Sequence, residues 1–132
     1  SQIFVIDYKT GKPPTTGIKF DDMFEYGLYK RPSSPFQAMY YAYIVQKQMI
    51  EKTHEVVPAL LFIQERKQLA PLKFSDKKNA DTVQLNKDFE AQLIPLLREI
   101  LNVDVPFDQT PDARNCINCE FNVICARKAN ND

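Results

Sequence analysis

The sequence lacks an excess of either charge and lacks any long hydrophobic run. Lys plus Arg and Asp plus Glu both number 17 among 132 residues, so no overall basic field marks the chain as a nucleic-acid binder. Any affinity for nucleic acid must therefore come from local clusters of cations or from parts of the protein outside this sequence. No apolar run approaches the roughly 20 residues that span a bilayer, so we expect no membrane partner. The 26% charged and 44% hydrophobic residues are typical of a globular domain.

Cysteine is also scarce, and the three that occur lie close together near the end of the sequence, at Cys116, Cys119 and Cys125. An odd number of cysteines crowded into one segment argues against the disulfide framework of a secreted protein. The same pattern favours metal or cluster chemistry in a reducing compartment. We therefore expect a cytoplasmic protein.

Two apolar segments are predicted to be strands. The first, Gln2–Lys9, has apolar residues on both faces near its start, which predicts a central strand covered on both sides. The second covers residues 56–64, and Pro58 predicts that its start lies at a sheet edge or at the point where the chain enters the sheet. Between residues 10 and 33 lie Pro13, Pro14 and all three glycines. That composition predicts a long loop with a short helical turn near residues 21–29.

Two longer segments have helical periodicity. The first is predicted from Pro35 to Lys52, with Ser34 as its N-cap residue and Pro35 in the first helical position. The second is predicted over residues 83–102, with a kink or break near Leu93 because Pro95 interrupts it. The apolar residues that follow a helical period are Phe36, Tyr40, Tyr43 and Ile44 in the first helix, and those that form one apolar stripe in the second are Phe89, Leu93, Leu96, Leu97 and Ile100.

The end of the first strand carries the residues that indicate chemistry. Asp7 and Lys9 are two residues apart, so their side chains project from the same face. A carboxylate can hold a divalent cation, and a nearby ammonium can steady a phosphate or its attacking water. The simpler alternative is an exposed Asp and Lys before a turn, and the two-residue spacing alone favours that alternative.

Gln37 and Tyr41 are a second pair, four residues apart on one face of the first predicted helix. On their own they fit an amphipathic core helix whose glutamine lies beside aromatic residues. The segment IDYKTG at residues 6–11, followed by this pair, resembles the RecB-like branch of the PD-(D/E)XK nucleases. The resemblance implies Asp7 as metal ligand with the Tyr8 backbone carbonyl, Lys9 as catalytic lysine, and a helix with Gln37 and Tyr41 beside the active site.

The cysteine segment NCINCEFNVIC resembles the tail of RecB-like nucleases with an iron–sulfur centre, including AddB-type subunits and some CRISPR-associated exonucleases. That resemblance implies that Cys116, Cys119 and Cys125 bind a 4Fe–4S cluster together with a fourth cysteine. A zinc site with His54 as fourth ligand is the first alternative. A disulfide between Cys116 and Cys119 is the second.

Together these resemblances imply an α/β fold of restriction-endonuclease type, with a mixed central sheet flanked by helices. They imply a Mg²⁺- or Mn²⁺-dependent DNA exonuclease within a larger repair or recombination protein that has a helicase-like region. Residues 1–105 would form the nuclease core and residues 106–132 the cysteine tail. Such nucleases have a first metal-binding aspartate before this strand. We therefore expect the chain to be the C-terminal part of the domain and to be inactive alone. The alternative function is a non-catalytic zinc or iron–sulfur module that binds DNA or protein.

Overall fold

A computed structural model describes residues 1–13, 17–49, 54–64 and 70–127. In this part of the chain a small mixed sheet is combined with two long helices, which confirms the predicted α/β class. Neither long helix has a stretch apolar enough to cross a membrane within the described residues. The elements are β1 (Gln2–Lys9), α1 (Ser33–Gln48), β2 (Glu55–Phe62), β3 (Ala70–Pro71) and α2 (Thr82–Ile100), with short 3₁₀ helices at Asp21–Met23 and Ala113–Cys116.

The sheet has the order β1-β2-β3, and α1 connects its two parallel strands. Asp7 lies opposite Leu60 and Lys9 opposite Phe62, whereas β3 pairs with β2 in the antiparallel sense. Among the described strands β2 is therefore central and β1 is at one side. The prediction of a central β1 covered on both faces is wrong for this part of the chain, because Phe4 and Tyr8 are 40% and 62% exposed.

Pro58 lies inside the central strand rather than at an edge or at the start of the strand, which corrects a second prediction. It is buried and pairs with Val5 of β1. Its carbonyl accepts a hydrogen bond of 2.9 Å from the Leu72 backbone N–H on the β3 side. A backbone N–H at position 58, which proline lacks, would point to that same side, where β3 is only two residues long. The proline is tolerated because the ladder that it interrupts ends there.

The first helix begins two residues earlier than predicted. Pro32 is its N-cap residue, without a side-chain capping bond, so Ser34 is not the N-cap. Pro35 occupies the third helical position, where a backbone N–H would have no partner within the helix. The helix ends at Gln48, and the predicted end at Lys52 lies outside the described residues.

The buried face of α1 combines two alanines with one methionine. Ala38, Met39 and Ala42 are fully buried, whereas Phe36 and Tyr40 are half-buried at the edge of the same core. Ala38 and Ala42 are one helical turn apart, so they leave room for the helix to lie close to β2 and β1. The aromatic residues Phe36 and Tyr40 therefore flank this contact instead of forming its centre.

The second helix is capped by Asp81, whose carboxylate accepts a hydrogen bond from the Gln84 backbone N–H at 2.8 Å. It continues through Pro95 to Ile100, so no break occurs near Leu93. The predicted apolar stripe is only partly buried, because Leu97 and Ile100 are exposed.

Polar contacts from Asn86 and Asp88 help to fix α2 to the rest of the fold. Asn86 is buried and donates a hydrogen bond of 3.0 Å to the Val56 carbonyl of β2. The Lys77 ammonium lies 2.9 Å from Asp88 and holds the pKa of the Asp88 carboxyl below its usual range. These contacts position α2 beside the central strand.

The core lies between α1, α2 and the loops that precede them. Phe20 and Phe89 are fully buried, and Phe20 makes an edge-to-face contact with Phe74 at a centroid distance of 5.1 Å. Phe24 and Phe36 each pack against Phe89, at 5.5 and 5.4 Å. Interlocked rings of this kind have one well-packed arrangement, so they fix how α1 faces α2.

The cysteine-containing segment packs on the loop before α1. Gly27 has a φ of +74°, and a Cβ placed there would lie 2.4 Å from Pro111 Cγ. The Arg114 guanidinium lies over the Tyr29 ring at 4.8 Å, and its hydrogen bonds lower the pKa of the neighbouring Asp112 carboxyl. Glycine is needed at position 27, because a side chain there would prevent the loop and the cysteine-containing segment from lying this close together.

We expect Gly27→Ala to lower the free energy of unfolding by about 1–3 kcal/mol, because the methyl group would overlap Pro111 in a strained backbone conformation. Urea denaturation of the variant and the wild type measures the difference. Gly11→Ala is the matched control, since open space surrounds Gly11. That control should change stability by no more than about 0.5 kcal/mol. Equal stability of the Gly27 variant and the wild type would contradict the described packing.

Candidate active site

Asp7 and Lys9 form an ion pair at the C-terminal end of β1. The Lys9 ammonium lies 2.8 Å from Asp7 Oδ2, and the two side chains are 23% and 13% exposed, respectively. Both project from the strand face that α1 covers, as the alternation of strand side chains requires. Because partial burial reduces screening by solvent, the attraction between these two charges is stronger than in an exposed ion pair.

Gln37 connects this pair to the helix. Lys9 donates a hydrogen bond of 2.7 Å to Gln37 Oε1, and Gln37 Nε2 donates one of 2.6 Å to the Tyr41 hydroxyl. The four predicted site residues are therefore one connected network, from a half-buried carboxylate to a tyrosine that is 41% exposed. Two consecutive hydrogen bonds fix the position of the Lys9 ammonium, and the network reaches solvent at Tyr41.

One oxygen of this network lacks a hydrogen-bond donor. Asp7 Oδ2 is buried, and although the Lys9 ammonium lies close to it, the approach does not have hydrogen-bond geometry. Burial of a carboxylate oxygen carries a desolvation cost, and the Lys9 ammonium at 2.8 Å offsets part of that cost through its charge alone. The chemistry of this oxygen fits a divalent metal ion, since Mg²⁺ and Mn²⁺ prefer oxygen ligands.

A cleft of about 460 Å³ opens beside the network. Leu60 and Phe62 form part of its wall, and they are the β2 partners of Asp7 and Lys9. Sequence reasoning missed this cleft, because its cations are dispersed over some twenty positions in a chain of zero net charge. The one local signal is the Lys30-Arg31 pair before the first helix. The charged residues that line the cleft are Lys12, Lys19, Asp22, Lys30 and Arg31.

Comparison with known proteins identifies the family. A sequence model of the PD-(D/E)XK nuclease superfamily matches residues 1–126. The chain belongs to the PD-(D/E)XK nuclease superfamily. The observed mixed sheet with flanking helices is consistent with the restriction-endonuclease-like fold of that superfamily. No curated protein and no solved structure matches the chain.

Membership of the PD-(D/E)XK superfamily implies a nuclease, and such nucleases typically use Mg²⁺ or Mn²⁺. The Tyr8 carbonyl, the second predicted metal ligand, belongs to the residue that follows Asp7 on β1. The Lys9 carbonyl accepts a hydrogen bond of 2.9 Å from Ile63 on the β2 side. Consecutive residues of a strand direct their carbonyls to opposite sides, so the Tyr8 carbonyl points away from β2.

No group of three His, Cys, Asp or Glu residues in the described ranges is arranged to hold a metal ion. In the network of Asp7, Lys9, Gln37 and Tyr41, Asp7 supplies the single carboxylate. The same result applies to the tail, where Cys116, Cys119 and Cys125 are half-buried free thiols. His54, the predicted fourth zinc ligand, lines a separate cavity beside α2, so the structure does not bring it to the cysteines.

The backbone of the tail nevertheless places two of the cysteines on one turn. The Cys119 N–H donates a hydrogen bond of 3.2 Å to the Cys116 carbonyl. Cys125 follows in a further turn, closed by a bond of 3.0 Å from its N–H to the Phe121 carbonyl. The spacing of the first pair is that of cysteines that chelate one metal centre.

Proposed function

We propose that the chain is the catalytic part of a metal-dependent DNA nuclease of the RecB-like branch and that it hydrolyses phosphodiester bonds at the Asp7–Lys9 pair. The observation that carries this proposal is the position of the Lys9 ammonium, held between Asp7 and Gln37. A non-catalytic binding module has no need for a lysine fixed at both sides in a half-buried position. We therefore favour catalysis over the alternative of a zinc or iron–sulfur binding module.

Asp7 and the Tyr8 carbonyl would hold Mg²⁺ or Mn²⁺. When bound, such a cation polarises a phosphoryl oxygen and activates water for attack. The Lys9 ammonium would orient the attacking water and stabilise the negative charge that develops on the phosphate. Because Lys9 donates to Gln37 as well as contacting Asp7, it would keep one fixed partner if Asp7 also held a cation.

Gln37 and Tyr41 serve this mechanism as positioning residues. Gln37 accepts the Lys9 hydrogen bond with its carbonyl oxygen and uses its amide to donate to Tyr41. This arrangement fixes the amide orientation, so an acceptor rather than a donor faces the ammonium. Tyr41 is partly exposed and can also contact the substrate strand.

In the full-length protein, we expect Lys9→Ala to slow DNA cleavage by about a hundred- to a thousandfold, because a charge-stabilising group is lost from a pre-organised site. DNA affinity should change little, since one phosphate contact is a small part of binding. Single-turnover cleavage of labelled DNA and a binding titration at the same salt concentration measure both quantities.

The matched control for this substitution is Lys87→Ala, an exposed lysine on α2. It should cleave and bind as the wild type does. Wild-type cleavage by a folded Lys9→Ala protein that still binds DNA would remove the catalytic role of Lys9 and favour the binding module.

We further propose that the tail, residues 106–132, holds a 4Fe–4S cluster through Cys116, Cys119 and Cys125 and that residues 1–105 form the nuclease core. The support is the cysteine spacing and the turn that joins the first two cysteines. The resemblance alone supports the finer proposals that the activity is exonucleolytic and that the domain acts beside a helicase-like region in DNA repair or recombination.

We expect the full-length protein, purified without oxygen, to contain about four irons and four sulfides per chain. Cys119→Ser should remove most of this iron, because it removes a ligand, whereas the neighbouring Asn118→Ser should retain it. Elemental analysis and the visible absorption spectrum measure the cluster. One zinc per chain in place of iron would contradict the iron–sulfur proposal and favour a zinc site.

A further inference from the structure

The cleft beside the active-site network has a strong local charge in a chain that is neutral overall. Four cationic side chains line it against one carboxylate, although Lys plus Arg and Asp plus Glu are equal in number over the whole sequence. Within the described ranges, no ion pair involves Lys12, Lys19 or Arg31. Uncompensated cations in a concave surface concentrate positive potential there and attract anions.

The position of the cleft connects it with the proposed catalytic centre. Leu60 and Phe62 in its wall lie directly beside Asp7 and Lys9 in the sheet, and paired residues project from the same face. Ser34, also in the wall, lies three residues before Gln37 on α1 and so on the same side of the helix. An extended ligand in the cleft would therefore lead to the Asp7–Lys9 pair.

Backbone contacts hold one side of the cleft in place. Lys19 lies between two residues whose backbones bond to the segment before α2. The Ile18 carbonyl accepts a hydrogen bond of 2.8 Å from the Ser75 N–H, and the Phe20 N–H donates one of 2.8 Å to Asp76. The backbone that carries this lysine is thus fixed before any ligand binds.

The opposite side is held by the loop on which the tail packs. Lys30 has a φ of 55°, a conformation that residues other than glycine rarely adopt. Two cations lie close to the Tyr29 ring, with the Lys30 ammonium 5.2 Å and the Arg114 guanidinium 4.8 Å from its centroid. This packing presents Lys30 and Arg31 together at the rim of the cleft.

We propose that this cleft binds the phosphates of the nucleic-acid strand that enters or leaves the Asp7–Lys9 site, an inference that rests on the proposed nuclease function. The guanidinium of Arg31 can contact a phosphate through two parallel hydrogen bonds, and the lysines supply point charges along the strand. Contacts of this type read the backbone and not the base sequence. The cleft therefore contributes affinity and alignment without sequence preference.

The test is a double variant, Lys19→Gln with Arg31→Gln, in the full-length protein. Affinity for fluorescent single-stranded and duplex DNA is measured by anisotropy at several salt concentrations, with Ca²⁺ in place of Mg²⁺ to prevent cleavage. We expect affinity to fall about ten- to a hundredfold at low salt for the form that occupies the cleft. The slope of log K against log[salt] should decrease by about one for each lost phosphate contact.

Two further variants separate charge from structure. Lys87→Gln with Arg98→Gln removes the same charges from exposed positions of α2 and should leave both affinity and slope unchanged. Lys19→Arg with Arg31→Lys keeps both charges in the cleft and should retain the salt slope of the wild type. If the charge-removing cleft variant binds both forms of DNA as the α2 control does, the cleft proposal is wrong.

That failure is distinguishable from failure of the proposed function. A wild-type protein that cleaves DNA but binds it independently of Lys19 and Arg31 overturns the cleft alone. A wild-type protein that binds neither form of DNA overturns both proposals. A loss restricted to single-stranded or to duplex DNA supports the cleft and identifies which form of substrate it receives.

Discussion

The contact of Lys9 with both Asp7 and Gln37 is the interaction on which the proposed active site depends. It joins the end of β1 to the first turns of α1 across the edge of the core. In a partly buried position an ion pair is stronger than in water, but an unpaired charge is costly. Asp7, Lys9 and Gln37 therefore constrain one another, and the Asp7 carboxylate and the Lys9 ammonium keep a fixed separation.

The precision of that contact comes from the packing behind it. Ala38 and Ala42 permit α1 to lie close to the sheet, and the rings around Phe89 fix the helix against α2. β2 contributes by pairing Leu60 with Asp7 in register, which places the basic cleft beside the same strand end. Neither β2 nor the core aromatic residues take part in chemistry, yet both determine where the chemical groups lie.

The periodicity of the sequence predicted those parts of the structure that depend on neighbouring residues alone. The bounds of β1 and the shared face of Gln37 and Tyr41 follow from strand and helix periodicity, and the structure agrees with both. The central position of β2 and the tolerance of Pro58 depend on strands far apart in sequence, which periodicity does not specify. The roles of the site residues and of the cysteines remain predictions. The basic cleft could not be predicted, because folding brings together cations that the sequence disperses.

The central claim is that the buried Asp7 oxygen without a hydrogen-bond donor is the ligand of a catalytic divalent cation. Titration of the full-length protein with Mn²⁺, followed by electron paramagnetic resonance, tests it without depending on cleavage. We predict that Asp7→Asn weakens Mn²⁺ binding at least about tenfold, since it removes a charged ligand. Asp104→Asn, which changes an exposed carboxylate, should bind Mn²⁺ as the wild type does. Equal Mn²⁺ affinity of the Asp7 variant and the wild type would contradict the account.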